Sequence, residues 1–222
     1  MDKPLFKLSP STLNLFLECK RCFYKHIKLK QKRPDSIFPS LPSGMDKILK
    51  EHFDKHLEKD KLPQELKELK GYNLFKDKEL LKIWRSNFKG LQFLDKKSNI
   101  LLRGAVDNIL VKGKKLVVLD YKTRGYPLKE DTHEHYINQM DLYNFLLRKN
   151  GYETEDYTYL LFYYPNCVNG QGDVVFDTKL VKVSTSWKRG EKVFKDAVKV
   201  LMKDEIPSPG EDCQFCRYCQ KV

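Results

Sequence analysis

Residues 100–123 constrain this chain more than any other stretch. Two runs rich in Val, Leu and Ile flank Lys112-Gly113-Lys114-Lys115. Gly113 can supply the positive φ that a two-residue hairpin loop requires. With Gly113-Lys114 as the loop, antiparallel partners have residue numbers adding to 227, which sets Asp107 across from Asp120. Directly opposed residues hold their Cβ atoms roughly 5 Å apart. Because side chains alternate along a strand, Lys122 shares the face of Asp120. The expected hairpin thus gathers two carboxylates and an ammonium in one patch.

Two carboxylates this close force a proton onto one of them unless a cation intervenes. Mg²⁺ prefers a few carboxylates together with water and phosphate oxygens, which a half-open pair on a hairpin offers. The bland alternative is that Asp107 and Asp120 end strands and Lys122 is their surface ion pair. A further signal lies downstream in residues 135–150. There Tyr136, Ile137, Met140, Tyr143, Leu146 and Leu147 recur at helical spacing, and Asn150-Gly151 supplies the stop. Gln139 and Tyr143 are four apart and project from one face of that helix.

Gly104-x-x-Asp107, then Asp120-x-Lys122, then Gln139-x-x-x-Tyr143, in this order, resembles the PD-(D/E)xK nuclease superfamily. The nearer resemblance is to its RecB-like branch, which includes CRISPR-adaptation exonucleases and the nuclease domains of recombination helicase-nucleases. Each motif alone is weak, and the ordered set is strong. The resemblance implies an α/β restriction-endonuclease-like core, a mixed central sheet flanked by helices, with a helical insertion. The expected organisation is one domain over residues 1–222: a helical region at 43–99, the core at 100–205, and a cysteine-rich tail at 206–222 packing on the N-terminal segment.

Composition agrees with a nucleic-acid partner. Forty-two basic against 30 acidic residues leave a net charge of +12, which suits a polyanion. No apolar run approaches the roughly 20 residues of a membrane span, and Met1-Asp2-Lys3-Pro4 leads into no signal-peptide core. A cytoplasmic location is expected, without membrane contact. Six cysteines clustered as Cys-x-x-Cys in such a chain argue for metal rather than a disulfide framework.

In chain order, Ser9 is a plausible N-cap with Pro10 at the first helical position, and Leu13, Phe16 and Leu17 form an apolar face. This helix runs into Cys19-Lys-Arg-Cys22. Residues 31–42 read as a loop, and a helix opens at Ser43. The relatives commonly carry a metal-binding Gly-x-x-x-His at this point, but Ile48 stands four residues after Gly44. His52, one turn further, or Asp46, near the helix start, is available as the metal ligand. The alternatives are an exposed imidazole and a helix-terminal charge. Residues 58–99 read as two short helical segments broken at Pro63 and Gly71, with Trp84 and Phe88 as packing residues. Arg124, in the turn after the hairpin, can meet a phosphate or simply face solvent. Strands are expected at 156–164 and 174–184, a loop at 165–173, and an amphipathic helix at 187–202.

The tail carries Cys213, Cys216 and Cys219 with no remaining hydrophobic periodicity, so metal thiolate bonds are needed to order it. The resemblance implies a [4Fe–4S] cluster held by Cys19, Cys213, Cys216 and Cys219, with Cys22 as an alternative ligand. Two Cys-x-x-Cys pairs, Cys19 with Cys22 and Cys213 with Cys216, make an alternative zinc set. Cys167 is expected to be a plain thiol.

The expectation from these features is a metal-dependent DNA nuclease, an exonuclease of DNA repair, recombination or CRISPR-type processing. Asp107, Asp120 and the Tyr121 carbonyl would bind Mg²⁺ or Mn²⁺. Lys122 would orient water or neutralise charge, and Gln139 and Tyr143 would position Lys122 and the DNA. The substrate would be single-stranded or end-containing DNA, with a helicase or a repair or CRISPR complex as partner. The rivals are a non-catalytic nucleic-acid-binding module on a nuclease-like fold and a redox or iron sensor.

Overall fold

The computed structural model describes residues 4–35 and 37–219. Residues 1–3, read above as leading into no signal peptide, and the last three residues of the tail lie outside that description. In chain order the elements are β1 (Phe6–Leu8), α1 (Pro10–Glu18), α2 (Lys20–Ile27), α3 (Ser40–Glu58), β2 (Tyr72–Leu74), α4 (Lys78–Trp84), β3 (Leu91–Asp95), β4 (Ile100–Gly104), β5 (Asn108–Lys112) and β6 (Lys115–Thr123). They continue with α5 (Ile137–Lys149), β7 (Tyr157–Val168), β8 (Val174–Ser184), α6 (Trp187–Leu201) and α7 (Gln214–Cys219).

The hairpin forms in the register its turn dictates, with Lys112 against Lys115 and Asn108 against Leu119. Gly113 takes a φ of 59° in the loop. The apolar run before the turn is not one strand, however. Its first half, β4, lies between β1 and β3 in a three-stranded sheet, whereas β5 belongs to a five-stranded sheet in the order β2-β5-β6-β7-β8. Both sheets are mixed: β1 is parallel to β4, β6 is parallel to β7, and the other pairings are antiparallel. The expected mixed α/β architecture is present, divided between two sheets.

Residues 105–107 carry the chain from one sheet to the other, and α4 pins them there. The Val106 amide donates to the Trp84 carbonyl (3.1 Å), and Arg85 Nε donates to the Asp107 carbonyl (2.7 Å). Region 43–99 therefore does more than add helices, since it also supplies β2 and β3. Strands of three to five residues carry too few alternations to be read. α3 starts at Ser40, earlier than expected, because Pro42 fits the first helical turn, where its missing N–H costs no hydrogen bond. Trp84 is buried and stacks on Phe75 (5.1 Å), while Phe88 is exposed and contributes no packing pair. β7 runs on to Val168 through an irregularity between Pro165 and Cys167, so part of the expected loop is strand.

Ser9 caps α1 reciprocally with Thr12: each backbone N–H donates to the other's hydroxyl. β6 is buried on both faces. Leu116 and Val118, with Ile109, Leu160 and Phe162, pack beneath α5 and α6 in the larger core. Val117, Leu119 and Tyr121 pack on the opposite face against Leu49 and Phe53 of α3. α5 and α6 approach so closely that a Cβ on Gly190 would lie 2.6 Å from the Asp141 carbonyl oxygen. Asp141, itself buried, accepts from Arg189 Nε (2.6 Å) and the Ser186 amide (2.6 Å), which fixes this contact. No helix among the described residues is long and apolar enough to cross a membrane.

Candidate active site

Alternation along β6 sends Asp120 and Lys122 toward α5, whereas Tyr121 turns to the other face and meets Phe53 (4.8 Å). Asp107 stands just before β5, where the chain changes sheets. Instead of closing a further backbone pair opposite Asp120, it accepts the Tyr121 amide on Oδ2 (2.9 Å). That bond turns the Asp107 carboxylate toward the face that carries Asp120. The Tyr121 main chain is thus at the site through its N–H.

Asp120 is 1% exposed and ion-pairs closely with Lys122 Nζ. Asp120 Oδ2 has no aligned hydrogen-bond donor among the described residues, so the contact is ionic. The Lys122 ammonium is also bound by Gln139 Oε1 (3.0 Å) and stands over the Tyr136 ring (4.6 Å). Gln139 Nε2 donates to the Tyr143 hydroxyl (2.8 Å), completing a chain from α5 to β6. Gly104 closes the arrangement from below. A Cβ there would lie 2.9 Å from Leu146 Cδ1 and 3.0 Å from Tyr143 Cε1.

Charge balance at this point is unusual. Burial pushes the Asp120 carboxyl up to about 7, with Lys122 opposing and the neighbouring Asp107 adding to the rise. Burial likewise raises Asp107, against the pull of Lys50. Burial alone would lower Lys122, but the two carboxylates hold its pKa above the ordinary lysine value. Buried carboxylates that resist ionising together make an oxygen donor set suited to a hard divalent cation.

The helix α3 contributes differently from either expectation. Asp46 does reach the site, though through a lysine: Lys50 Nζ lies 2.7 Å from Asp46 and 3.2 Å from Asp107 Oδ1. His52 does not reach it. Its Nε2 lies 3.1 Å from Glu65 Oε1, its ring stands 4.6 Å from that of His56, and both line a separate cleft with Thr178–Leu180 of β8. Two positions along a helix turn a side chain by roughly 200°, so His52 cannot share the direction of Lys50. Sequence reasoning missed Lys50 and Arg85. The Asp46/Lys50 spacing of four on a helix was the available signal for the first, but nothing in the sequence pointed to Arg85. Arg124 extends the β6–β7 contact by donating its amide to the Tyr163 carbonyl (2.9 Å), and its Nε is buried without a hydrogen-bond partner among the described residues.

The two ends of the chain meet at a second group. Sulfurs of Cys19, Cys22, Cys213 and Cys216 all lie within 4.8 Å of one another, a set able to hold a metal ion. Cys22 stands in the quartet in place of Cys219, which is exposed on α7. Cys19 Sγ accepts amides from Cys22 (3.5 Å) and Gly210 (3.3 Å), and Cys213 Sγ accepts the Cys216 amide (3.5 Å) and Arg33 Nη2 (3.1 Å). Gly210 must be glycine here, since a Cβ would stand 2.7 Å from the Glu18 carbonyl oxygen. Against the upward push of burial, the amide donors bring the Cys19 thiol down to about 7, while burial and the neighbouring sulfurs raise Cys216. Cys167 is an exposed free thiol on β7.

No curated protein matches this chain. The family model of the PD-(D/E)XK nuclease superfamily matches residues 7–220, which runs from within β1 through α7 and takes in both clusters just described. With its paired aspartates, the following lysine and a match across nearly its full length, the chain belongs to the PD-(D/E)XK nuclease superfamily.

Proposed function

We propose that the protein is a Mg²⁺- or Mn²⁺-dependent deoxyribonuclease, acting as an exonuclease on single-stranded or end-containing DNA. The observation that carries this reading is the convergence of Asp107, Asp120 and Lys122, with Lys122 held by Gln139 and Tyr136. A helicase or a repair or CRISPR-type complex would deliver such DNA. Cysteines clustered as Cys-x-x-Cys, with Cys167 and Cys219 as exposed thiols, suit a reducing, cytoplasmic setting.

Asp107 and Asp120 would hold the cation, with Asp46 joining once Lys50 swings aside. When bound, the cation supplies Lewis-acid polarisation of the phosphodiester and a lowered pKa for water. Against burial, the two carboxylates raise the Lys122 pKa, which suits its ammonium to neutralising charge. Its ammonium orients the attacking water and faces the phosphoryl oxygens as the water oxygen bonds to phosphorus. The water gives up a proton to solvent, the bond to the leaving oxygen breaks, and that oxygen takes up a proton from solvent. Gln139 keeps Lys122 from swinging away, and Tyr143 holds Gln139. Arg124, one residue past β6, is suited to a backbone phosphate of the bound strand.

The test is to incubate the purified chain with labelled single- and double-stranded DNA in Mg²⁺, Mn²⁺ or EDTA. Cleavage is expected with either cation and none with EDTA. One observation favours a second reading: Lys50 fills the space between Asp46 and Asp107 that a cation would take. In that reading the fold is a non-catalytic DNA-binding module, and DNA is bound but left whole in every cation.

A further inference from the structure

The resemblance to RecB-like nucleases implies a [4Fe–4S] cluster, and the geometry of the cysteines does not fit one. Four iron atoms at the corners of a cube each carry one thiolate outward, which sets the cysteine sulfurs on a large tetrahedron, roughly 6 Å on edge. A single ion with four thiolates at about 2.3 Å makes a small tetrahedron, about 3.8 Å on edge. In this protein Cys19 Sγ lies 3.8 Å from Cys216 Sγ, and Cys22 Sγ lies 3.7 Å from Cys213 Sγ and 3.4 Å from Cys216 Sγ. All four sulfurs stay within 4.8 Å of one another. The space between them holds one ion and no cube.

We propose that Cys19, Cys22, Cys213 and Cys216 form a mononuclear tetrahedral zinc site that clasps the two ends of the chain, and that Cys219 is not a ligand. Each half is a Cys-x-x-Cys turn in which the first sulfur accepts the amide of the second cysteine, so both turns are preset for the same ion. The sulfurs are not free to spread to the larger tetrahedron. Cys19 Sγ is held by the Gly210 amide, Cys213 Sγ by Arg33, and Leu15 and Phe215 pack around the group. A 2+ ion with four thiolates leaves a net charge of −2. The Arg33 guanidinium, which also binds Glu18 (2.7 Å), offsets part of it. On ligation each thiol gives its proton to solvent and its lone pair to the ion, so no redox step is involved. Four protein ligands leave no open position, which makes the site structural. The proposal rests on the sulfur positions alone and stands or falls separately from the nuclease reading.

The test uses the full chain produced in medium supplemented with both iron and zinc, then purified without oxygen. Elemental analysis is expected to give one zinc per chain, with a colourless solution. Replacing the metal with Co²⁺ is expected to give the intense visible bands of tetrahedral cobalt thiolate. Cys219→Ser is expected to keep the zinc and Cys22→Ser to lose it. Should Cys22→Ser fail to fold, the wild-type metal content and the cobalt spectrum still decide. A brown protein with acid-labile sulfide and iron, a single iron per chain, or a chain with no metal at all would overturn the assignment. So would loss of the metal in Cys219→Ser.

Discussion

Two regions of this molecule press like-charged groups together, and the chain treats them in opposite ways. At the carboxylates it supplies its own cations: Lys122 pairs with Asp120, and Lys50 bridges Asp46 and Asp107. Asp120 and Lys122 are embedded between β6 and α5 beside the larger core, while Asp46 and Lys50 stand on α3. At the cysteines the Arg33 guanidinium is the one side-chain cation among the described residues, the other donors are backbone amides, and Leu15 and Phe215 pack alongside. The first region is therefore complete as a piece of folded protein without an added ion. The second would draw its cohesion from the proposed ion. Taking metal away should cost function at one and structure at the other.

The largest expected effect tests the first half of that contrast. Asp120→Asn should lower DNA cleavage by about 10³-fold or more, since it removes a charge that pairs with Lys122 and would hold the cation. Its melting temperature should stay at or above that of the native chain. Gel-based hydrolysis with a parallel thermal melt reads both, and a strongly destabilised variant would mean that Asp120 serves the fold. Next in size is removal of the cysteine-bound metal with a thiol-directed chelator. This should lower the melting temperature by on the order of 10 °C and make the segment from Ile206 onward the first to be cut by protease. Withholding Mg²⁺ alone should leave the melt nearly unchanged, and equal responses to the two treatments would erase the distinction.

A smaller effect follows from pH. Asp120 has a raised carboxyl pKa of about 7, against an ordinary value of 3.8, so the folded state binds more protons than the unfolded one between those values. In the absence of divalent cation this contribution to stability is full below pH 3.8 and is lost as pH rises toward 7. Asp120→Asn should therefore gain most over the native chain above pH 7 and lose that advantage in acid, as denaturant titration at several pH values can read. Smallest is the effect of Lys50→Met. Removing the ammonium that competes for Asp46 and Asp107 should lower the half-saturating Mg²⁺ concentration by about 3-fold, the size of a partly exposed ion pair. A rise in that concentration would show that Lys50 organises the carboxylates rather than competing for them.

How much of this could be read in advance follows from the range of the interactions involved. The hairpin register was legible because a two-residue turn sets it locally, and Lys122 on the face of Asp120 follows from alternation alone. Gln139 and Tyr143 were legible by helical spacing, and a role for them in positioning Lys122 and the DNA was implied by the resemblance. The sheet change at residues 105–107 was not legible. The groups that enforce it are the Trp84 carbonyl and the Arg85 guanidinium, and the run from Ile100 to Lys112 is apolar on both sides of the break. The choice between His52 and Asp46 depended on how α3 is rotated, which Leu49 and Phe53 decide by packing under Tyr121. Spacing showed that cysteines would gather, but it could not choose between Cys22 and Cys219. That choice rests on where α2 begins, with Cys19 capping it and turning Cys22 inward.

The cysteine clasp also has a consequence for the order of events during synthesis. Cys22 and Cys213 are 191 positions apart. While the chain is being made, the N-terminal pair leaves the ribosome as a two-thiol half-site and waits for its partners until nearly everything between has been translated. A pair of thiolates binds an ion far less completely than four, so loading is a late event that follows formation of the sheets. Closing so long a loop in an unfolded chain costs about 5 kcal/mol in chain entropy. The intervening domain lifts that cost by folding first and delivering the two ends to each other. Correct loading thus reports that everything in between has already folded.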